Sequence, residues 1–272
     1  MCPVENEHLS LLKKDLRMKK IIIFLCAVML CAPVFSAENI VSAGVYVTKM
    51  SMMKKYKDIN LSWRAQTKMR DQAKNLSQEE KAIVKKYVFG AVRGEDTYLL
   101  INCHLRGTLE HYIPKKEITK PLKCRLDYYA NELSVPISRT RLPQNTILYR
   151  GVDEKGIKLI FADKKLDSYF SKPVTEENLT VLKQKLIGAK YVEKGFMSTS
   201  YDINSAKQTK FVFEVNAPAN LQALLMDDLG KKEEKEVLIN RNTVWEVKDI
   251  KIDTHKKTKQ DYYRIKLMFV KK

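Results

Sequence analysis

Glycine and proline are scarce, 9 and 8 among 272 residues. That excludes a collagen-like or low-complexity chain, and a 44% hydrophobic share is enough to bury a sizeable core. No segment repeats at a fixed period. Cys/His pairs at zinc-ligand spacing, an aromatic-interleaved RNA motif and heptad runs are all missing, which removes the simplest nucleic-acid-binding classes. The longest apolar run, Ile21 to Leu30, is too short for a comfortable membrane span. His104, His111 and His255 have no partners at metal-ligand or triad spacing, so no metal site is expected. Of the 5 cysteines, Cys2, Cys26 and Cys31 precede residue 38, leaving Cys103 and Cys124 as either a disulfide or two free thiols.

What the chain has in excess is positive charge: +18 in total, spread along its length rather than gathered in a tail, with a pI near 9.5. Such a surface attracts polyanions without choosing among nucleic acid, an anionic membrane and a phosphate-bearing small molecule. The first segment reads as an export signal. Met18-Lys19-Lys20 is its basic start, Ile21 to Leu30 its apolar run and Val34-Phe35-Ser36-Ala37 its small-residue cleavage region. The polar stretch Met1 to Arg17 lies ahead of that signal, which points to Met18 as the true start and to a mature chain beginning near Glu38. Leu30 before Cys31 is too large for a lipoprotein signal, so no stable membrane anchor is expected.

Along the mature chain, Lys49 to Asn75 carries an amphipathic scatter of apolar residues that predicts one or two helices. With residues 38–76 it forms an N-terminal helical segment ahead of a domain over 77–272. Ser77-Gln78-Glu79-Glu80 is a capping-box pattern opening a helix over Gln78 to Tyr87. Tyr98 to Arg106 predicts a second helix closed by Gly107, and Leu122 to Leu133 a third, ended by Pro136. After Pro143 the pattern turns to strands: Thr146 to Val152, Gly195 to Ser200, Phe211 to Val215, Ala223 to Met226, and a closing hairpin from Trp245 to Ile252 and Tyr262 to Val270. A helix over Glu176 to Ile187 interrupts them. Helices first and strands second predict an α+β fold.

Glu234 and Glu236 stand at i and i+2 where the charged loop Asp227 to Glu233 meets the apolar run Val237 to Ile239. Alternation would place both carboxylates on one face at the start of a strand. Two acids held side by side can do acid/base chemistry, and a solvated cluster Glu233-Glu234-Lys235-Glu236 has the same spelling.

Taken with what precedes them, these acids carry a resemblance. Leu148-Tyr149-Arg150-Gly151, then Gly195-Phe196-Met197-Ser198-Thr199-Ser200, then Glu236-Val237-Leu238-Ile239 with Arg241-Asn242, resemble the three blocks of the Arg, Ser-Thr-Ser, Glu-x-Glu class of mono-ADP-ribosyltransferase toxins. That class includes clostridial Rho-modifying and actin-modifying enzymes. Ile101-Asn102 with Leu105-Arg106-Gly107 resembles its upstream helix motif, and the likeness runs from about Ser77 to the C terminus.

The resemblance implies N-terminal helices followed by two packed antiparallel or mixed β-sheets around an NAD cleft, with NAD as substrate and no metal. It also implies roles. Arg150 would hold the diphosphate bidentately, helped by Arg106 and Asn102 on the adenosine-phosphate half. Ser198 would orient Glu236, whose charge faces the cation that develops as the nicotinamide bond breaks and which can bind the ribose 2′-hydroxyl. Glu234 would position or deprotonate the acceptor. In the family a Glu at this place accompanies arginine as acceptor, where Gln accompanies asparagine or some nucleobases. Two departures stand out: the loop Asp227 to Glu233 has no aromatic residue with which relatives grip their targets, and the segment after Ser200 offers Lys207 where relatives often use Arg.

The resulting expectation is a secreted, monomeric toxin that modifies an arginine of a host protein in the host cytosol. Entry would use a separate translocation partner, an injection route or uptake through the basic surface. An NAD glycohydrolase, a transferase acting on nucleic acid and a non-enzymatic basic binding module are the rival readings.

Overall fold

The computed structural model describes residues 60–92 and 94–270. The expected signal segment and the stretch 38–59 lie outside them. α1 (Trp63–Lys74) opens on Ser62, whose hydroxyl accepts from the Ala65 N–H. α2 (Gln78–Phe89) has the predicted capping box in full: the Ser77 hydroxyl accepts from the Glu80 N–H at 3.2 Å while the Glu80 carboxylate accepts from the Ser77 N–H at 2.7 Å. The short pair β1 (Ala91–Val92) and β2 (Glu95–Asp96) leads into α3 (Thr97–Arg106), which ends as expected on Gly107, at φ 75°. α4 (Lys120–Arg139) runs three residues beyond Pro136. Proline removes one helical hydrogen bond and crowds the preceding turn. Complete burial of Ile137 offsets that loss, and the Thr140 hydroxyl caps the end by donating to the Ala223 carbonyl at 2.7 Å.

The strands follow: β3 (Thr146–Val152), β4 (Lys190–Glu193), β5 (Met197–Ser200), β6 (Phe211–Ala217), β7 (Ala223–Leu225), β8 (Glu236–Ile239), β9 (Thr243–Thr254) and β10 (Asp261–Phe269). Between β3 and β4 lie α5 (Glu154–Ile160), α6 (Asp167–Ser171) and α7 (Glu176–Leu186). β4, α5 and α6 have no counterpart in the sequence reading. Hydrogen bonding gives the order β4-β9-β10-β6-β3-β5-β8-β7, mixed because β10 and β6 run parallel.

The link between the five-strand wing ending at β3 and the three-strand wing starting at β5 is a single register pair, Tyr149 with Ser200. The wings turn toward one another across that link. Met197, Val237 and Ile239 of the smaller wing share one core with Phe213, Val247 and Ile265 of the larger, which is the two-layer packing the resemblance implies. α1 joins that core through Leu61, Ala65 and Met69 beside it. The other face of the smaller wing, with Leu224 and Leu238, packs on α2, α3 and α4. Among the described residues no helix is long and apolar enough to cross a membrane.

Candidate active site

A cleft of about 580 Å³ opens where the two wings diverge, under α3. Asn102, Arg106, Arg150, Ser198, Lys207, Glu234 and Glu236, separated by up to 134 positions in the chain, all line it. Local structure explains each placement. Asn102 and Arg106 are four apart on α3 and so share a face. The Asn102 side chain accepts from the Phe196 N–H at 2.7 Å and donates to the Tyr87 hydroxyl at 2.9 Å, pinning α3 to the entrance of β5. Gly195 makes that approach possible, since a Cβ there would lie 2.6 Å from the Asn102 Oδ1. Gly151 does the same for Lys207: a Cβ would lie 1.9 Å from the Lys207 carbonyl oxygen, so only glycine lets this segment cross β3 beside Arg150.

The three residues of the Ser-Thr-Ser block divide their work. The Thr199 hydroxyl donates to the Val237 carbonyl at 2.6 Å and the Ser200 hydroxyl to the Asp202 carbonyl at 2.9 Å, so both fix strand and turn. Ser198 is left for the cleft. It faces Leu238 in register, which makes Glu236 its diagonal neighbour on the same side of the sheet, and its hydroxyl hydrogen-bonds the Glu236 carboxylate.

Glu236 is buried, 7% exposed. Burial pushes its carboxyl up to about 7, the Ser198 hydrogen bond opposes the rise, the Glu234 charge adds to it, and Lys231 and Arg150 hold it back.

Glu234 stands differently from the alternation expected of it. It ends a 3₁₀ turn, Lys232–Glu234, Lys235 then adopts φ 48°, and the strand begins only at Glu236. The acids are neighbours because a left-handed residue folds one over the other. Glu234 stays 47% exposed at the mouth, 3.6 Å from the Lys231 Nζ. The segment that carries it is tied at both ends. Asp227, with its side chain 2% exposed, accepts from Arg70 of α1 at 2.7 Å and from the Tyr201 hydroxyl at 3.2 Å, and Lys235 donates to Asp202 at 2.6 Å.

Residues outside the sequence motifs also shape the site: Tyr98, Asp153 and Lys231 line the cleft, and Glu193 stands behind its arginines. Tyr98 is one turn before Asn102 and extends the α3 face that reaches the cleft, a signal readable as Tyr98, Asn102, Arg106 at a spacing of four. Glu193 stands behind the lining and touches two arginines of it. The Arg106 Nε and Nη2 donate to its two oxygens at 2.8 and 3.0 Å, and the Arg150 Nη1 donates at 3.4 Å. Its signal was alternation on β4, which turns Tyr191 and Glu193 inward and leaves Val192 half exposed.

The remaining candidates resolve simply. Cys103 is buried, Cys124 is exposed and both are free thiols. His104 pairs with Asp127 at 2.7 Å and His255 stacks on Tyr262. Among the described residues no group of three or more His, Cys, Asp or Glu is placed to hold a metal ion.

Residues 53–267 match the family of ADP-ribosyltransferase exoenzymes. The chain belongs to that family. Solved structures share its fold. C3stau2 from S. aureus, determined with NAD, superposes with a TM-score of 0.62 at 17% identity over 80% of this chain and 100% of its own. Plx2a, an ADP-ribosyltransferase toxin from Paenibacillus larvae, gives 0.58 at 19% identity over 78% and 100%. BECa from a binary enterotoxin of C. perfringens, determined with NADH, gives 0.59 at 21% identity over 78% of this chain but 50% of its own. No curated protein matches the chain in sequence. As a member of the ADP-ribosyltransferase exoenzymes, the chain is a toxin-class enzyme that uses NAD as the ADP-ribose donor.

Proposed function

We propose that this ADP-ribosyltransferase is an exported toxin that moves ADP-ribose from NAD onto an arginine of a host protein and releases nicotinamide. The observation that carries this reading is the unequal pair at the cleft: a buried Glu236 held by Ser198, and an exposed Glu234 beside it at the mouth. The groups around the cleft fit a dinucleotide. Arg150, Arg106 and Lys207 supply positive charge for a diphosphate, and Asn102 anchors the helix that carries Arg106. NAD supplies the nicotinamide–ribose bond, whose cleavage leaves positive charge on the sugar. Glu236 in its ionised form faces that charge inside a water-poor wall, where the interaction is stronger than in solvent. Ser198 keeps the carboxylate turned toward the sugar.

Glu234, outside that wall, can reach an incoming side chain. A guanidinium has a pKa above about 12, so it needs a carboxylate both to hold it and to help remove a proton, a task beyond glutamine. Export rests on the signal pattern from Met18 to Ala37.

The reading is tested with labelled NAD, host-cell lysate and a small arginine analogue such as agmatine. Agmatine is expected to accelerate nicotinamide release and to take up label, and a lysate protein to become labelled at arginine. Release that ignores agmatine assigns water as the acceptor, and label on added DNA assigns a nucleobase; either overturns the arginine reading.

A further inference from the structure

Glu193 is an acidic group behind the two cleft arginines that the scheme above leaves unused. It closes β4 at the edge of the larger wing and is 3% exposed, yet no lysine is near enough to pair with it among the described residues. Its two oxygens instead serve both cleft arginines. One accepts from the Arg106 Nε at 2.8 Å and from the Gly195 N–H at 2.9 Å; the other accepts from the Arg106 Nη2 at 3.0 Å and the Arg150 Nη1 at 3.4 Å. A buried carboxylate is costly unless its lone pairs are met, and here four donors meet them. Gly195 is part of the arrangement, because a Cβ there would stand 3.2 Å from the Arg106 Nη2.

The distribution of donors has a chemical consequence. Arg106 gives one whole edge, Nε with Nη2, to Glu193 and keeps Nη1. Arg150 gives only Nη1 and keeps its Nε–Nη2 edge, the planar fork that matches two phosphate oxygens. A shared anion also lets two guanidiniums stand in one wall without mutual repulsion, and leaves the group with one net positive charge.

We propose that Glu193 is a positioning residue for ADP-ribosyl transfer, holding Arg106 and Arg150 as one fixed pair whose remaining N–H donors grip the NAD diphosphate. It acts through the arginines and touches no reacting atom. The inference rests on the reading of those arginines as diphosphate groups.

The test compares Glu193→Gln, Glu193→Asp and Arg150→Lys in the full chain by steady-state nicotinamide release, with thermal melting on each. Glu193→Gln places an amide N–H against guanidinium N–H donors and is expected to raise KM for NAD by about tenfold or more while kcat stays within about threefold of wild type. If that variant does not fold, Glu193→Asp decides: it keeps the charge, shortens the reach by one methylene and is expected to raise KM several-fold with kcat retained. A folded variant at Glu193 with wild-type KM, or one that loses kcat at unchanged KM, overturns the proposal. Arg150→Lys separates the two layers. If it raises KM and the Glu193 variants do not, only the positioning role fails. If it leaves KM unchanged, the diphosphate reading of the arginines fails with it.

Discussion

At the scale of single residues, the account turns on the protonation of Glu236. Burial raises its carboxyl from the ordinary 4.5 of a glutamate to about 7. In the proposed mechanism the ionised form faces the developing ribose charge, so kcat/KM for NAD is expected to fall as pH drops through about 7, with the midpoint reporting the free enzyme. Glu234→Gln removes a neighbouring negative charge that raises this pKa, and should move the midpoint to lower pH. A pH-rate profile of nicotinamide release for both proteins checks the shift.

Stability has the opposite dependence. Below about pH 4 the carboxyl is protonated whether the chain is folded or not and costs nothing. Between pH 4.5 and 7 the unfolded state ionises while the folded state keeps its proton, so stability is lost as pH rises. Glu236→Gln is therefore expected to exceed wild type in urea unfolding by on the order of 3 kcal/mol at pH 8 and to match it near pH 4. Residue identities were legible where chemistry fixes them: the motif blocks, the upstream helix motif and the segment after Ser200 named seven residues that line one cleft. Glu193 was not, because an acid on the inward face of a short edge strand has meaning only once the two arginines that meet it are in place.

At the scale of elements, helices were the most legible because their ends are written in local chemistry. The Ser77 capping box and the left-handed Gly107 were both readable before any fold was known. Pro136 misled because burial of the following turn outweighs a local rule, and β4 was missed because four residues give too short an alternation. The Glu-x-Glu spacing by itself predicts strand, yet the left-handed Lys235 delays the strand by two residues. The segment from Asp227 to Lys235 depends on its anchors. Arg70→Ala strips the cation from buried Asp227 and should cost about 2 kcal/mol in urea unfolding, moderated by the partial exposure of Arg70. It should also raise amide exchange across 228–234. At Gly151 an added Cβ meets backbone rather than a movable side chain, so Gly151→Ala should displace the Lys207 segment and weaken NAD binding measured by calorimetry.

At the scale of the whole molecule, one feature organises the rest: two wings of sheet joined at Tyr149 and Ser200 and packed face to face, so that their divergence opens the cleft. The α+β class was visible in the order of helices and strands, whereas the single hydrogen-bonded hinge between the wings joins residues too distant in sequence to be read from it. α1 belongs to this packing, through Ala65 and Met69 in the shared core, with Leu61 just before the helix, and through Arg70 on Asp227. A chain starting at residue 77 should accordingly melt without a cooperative transition, where one starting at residue 53 melts as a unit.

The central claim is that the two acids do different work, Glu236 on the ribose and Glu234 on an arginine acceptor. Label transfer from NAD to agmatine, followed together with nicotinamide release in wild type, Glu234→Gln and Glu236→Ala, tests it most directly. Glu234→Gln is expected to cleave NAD but label no agmatine, and Glu236→Ala to do neither. Agmatine labelling that survives in Glu234→Gln, or NAD cleavage that survives in Glu236→Ala, would contradict it.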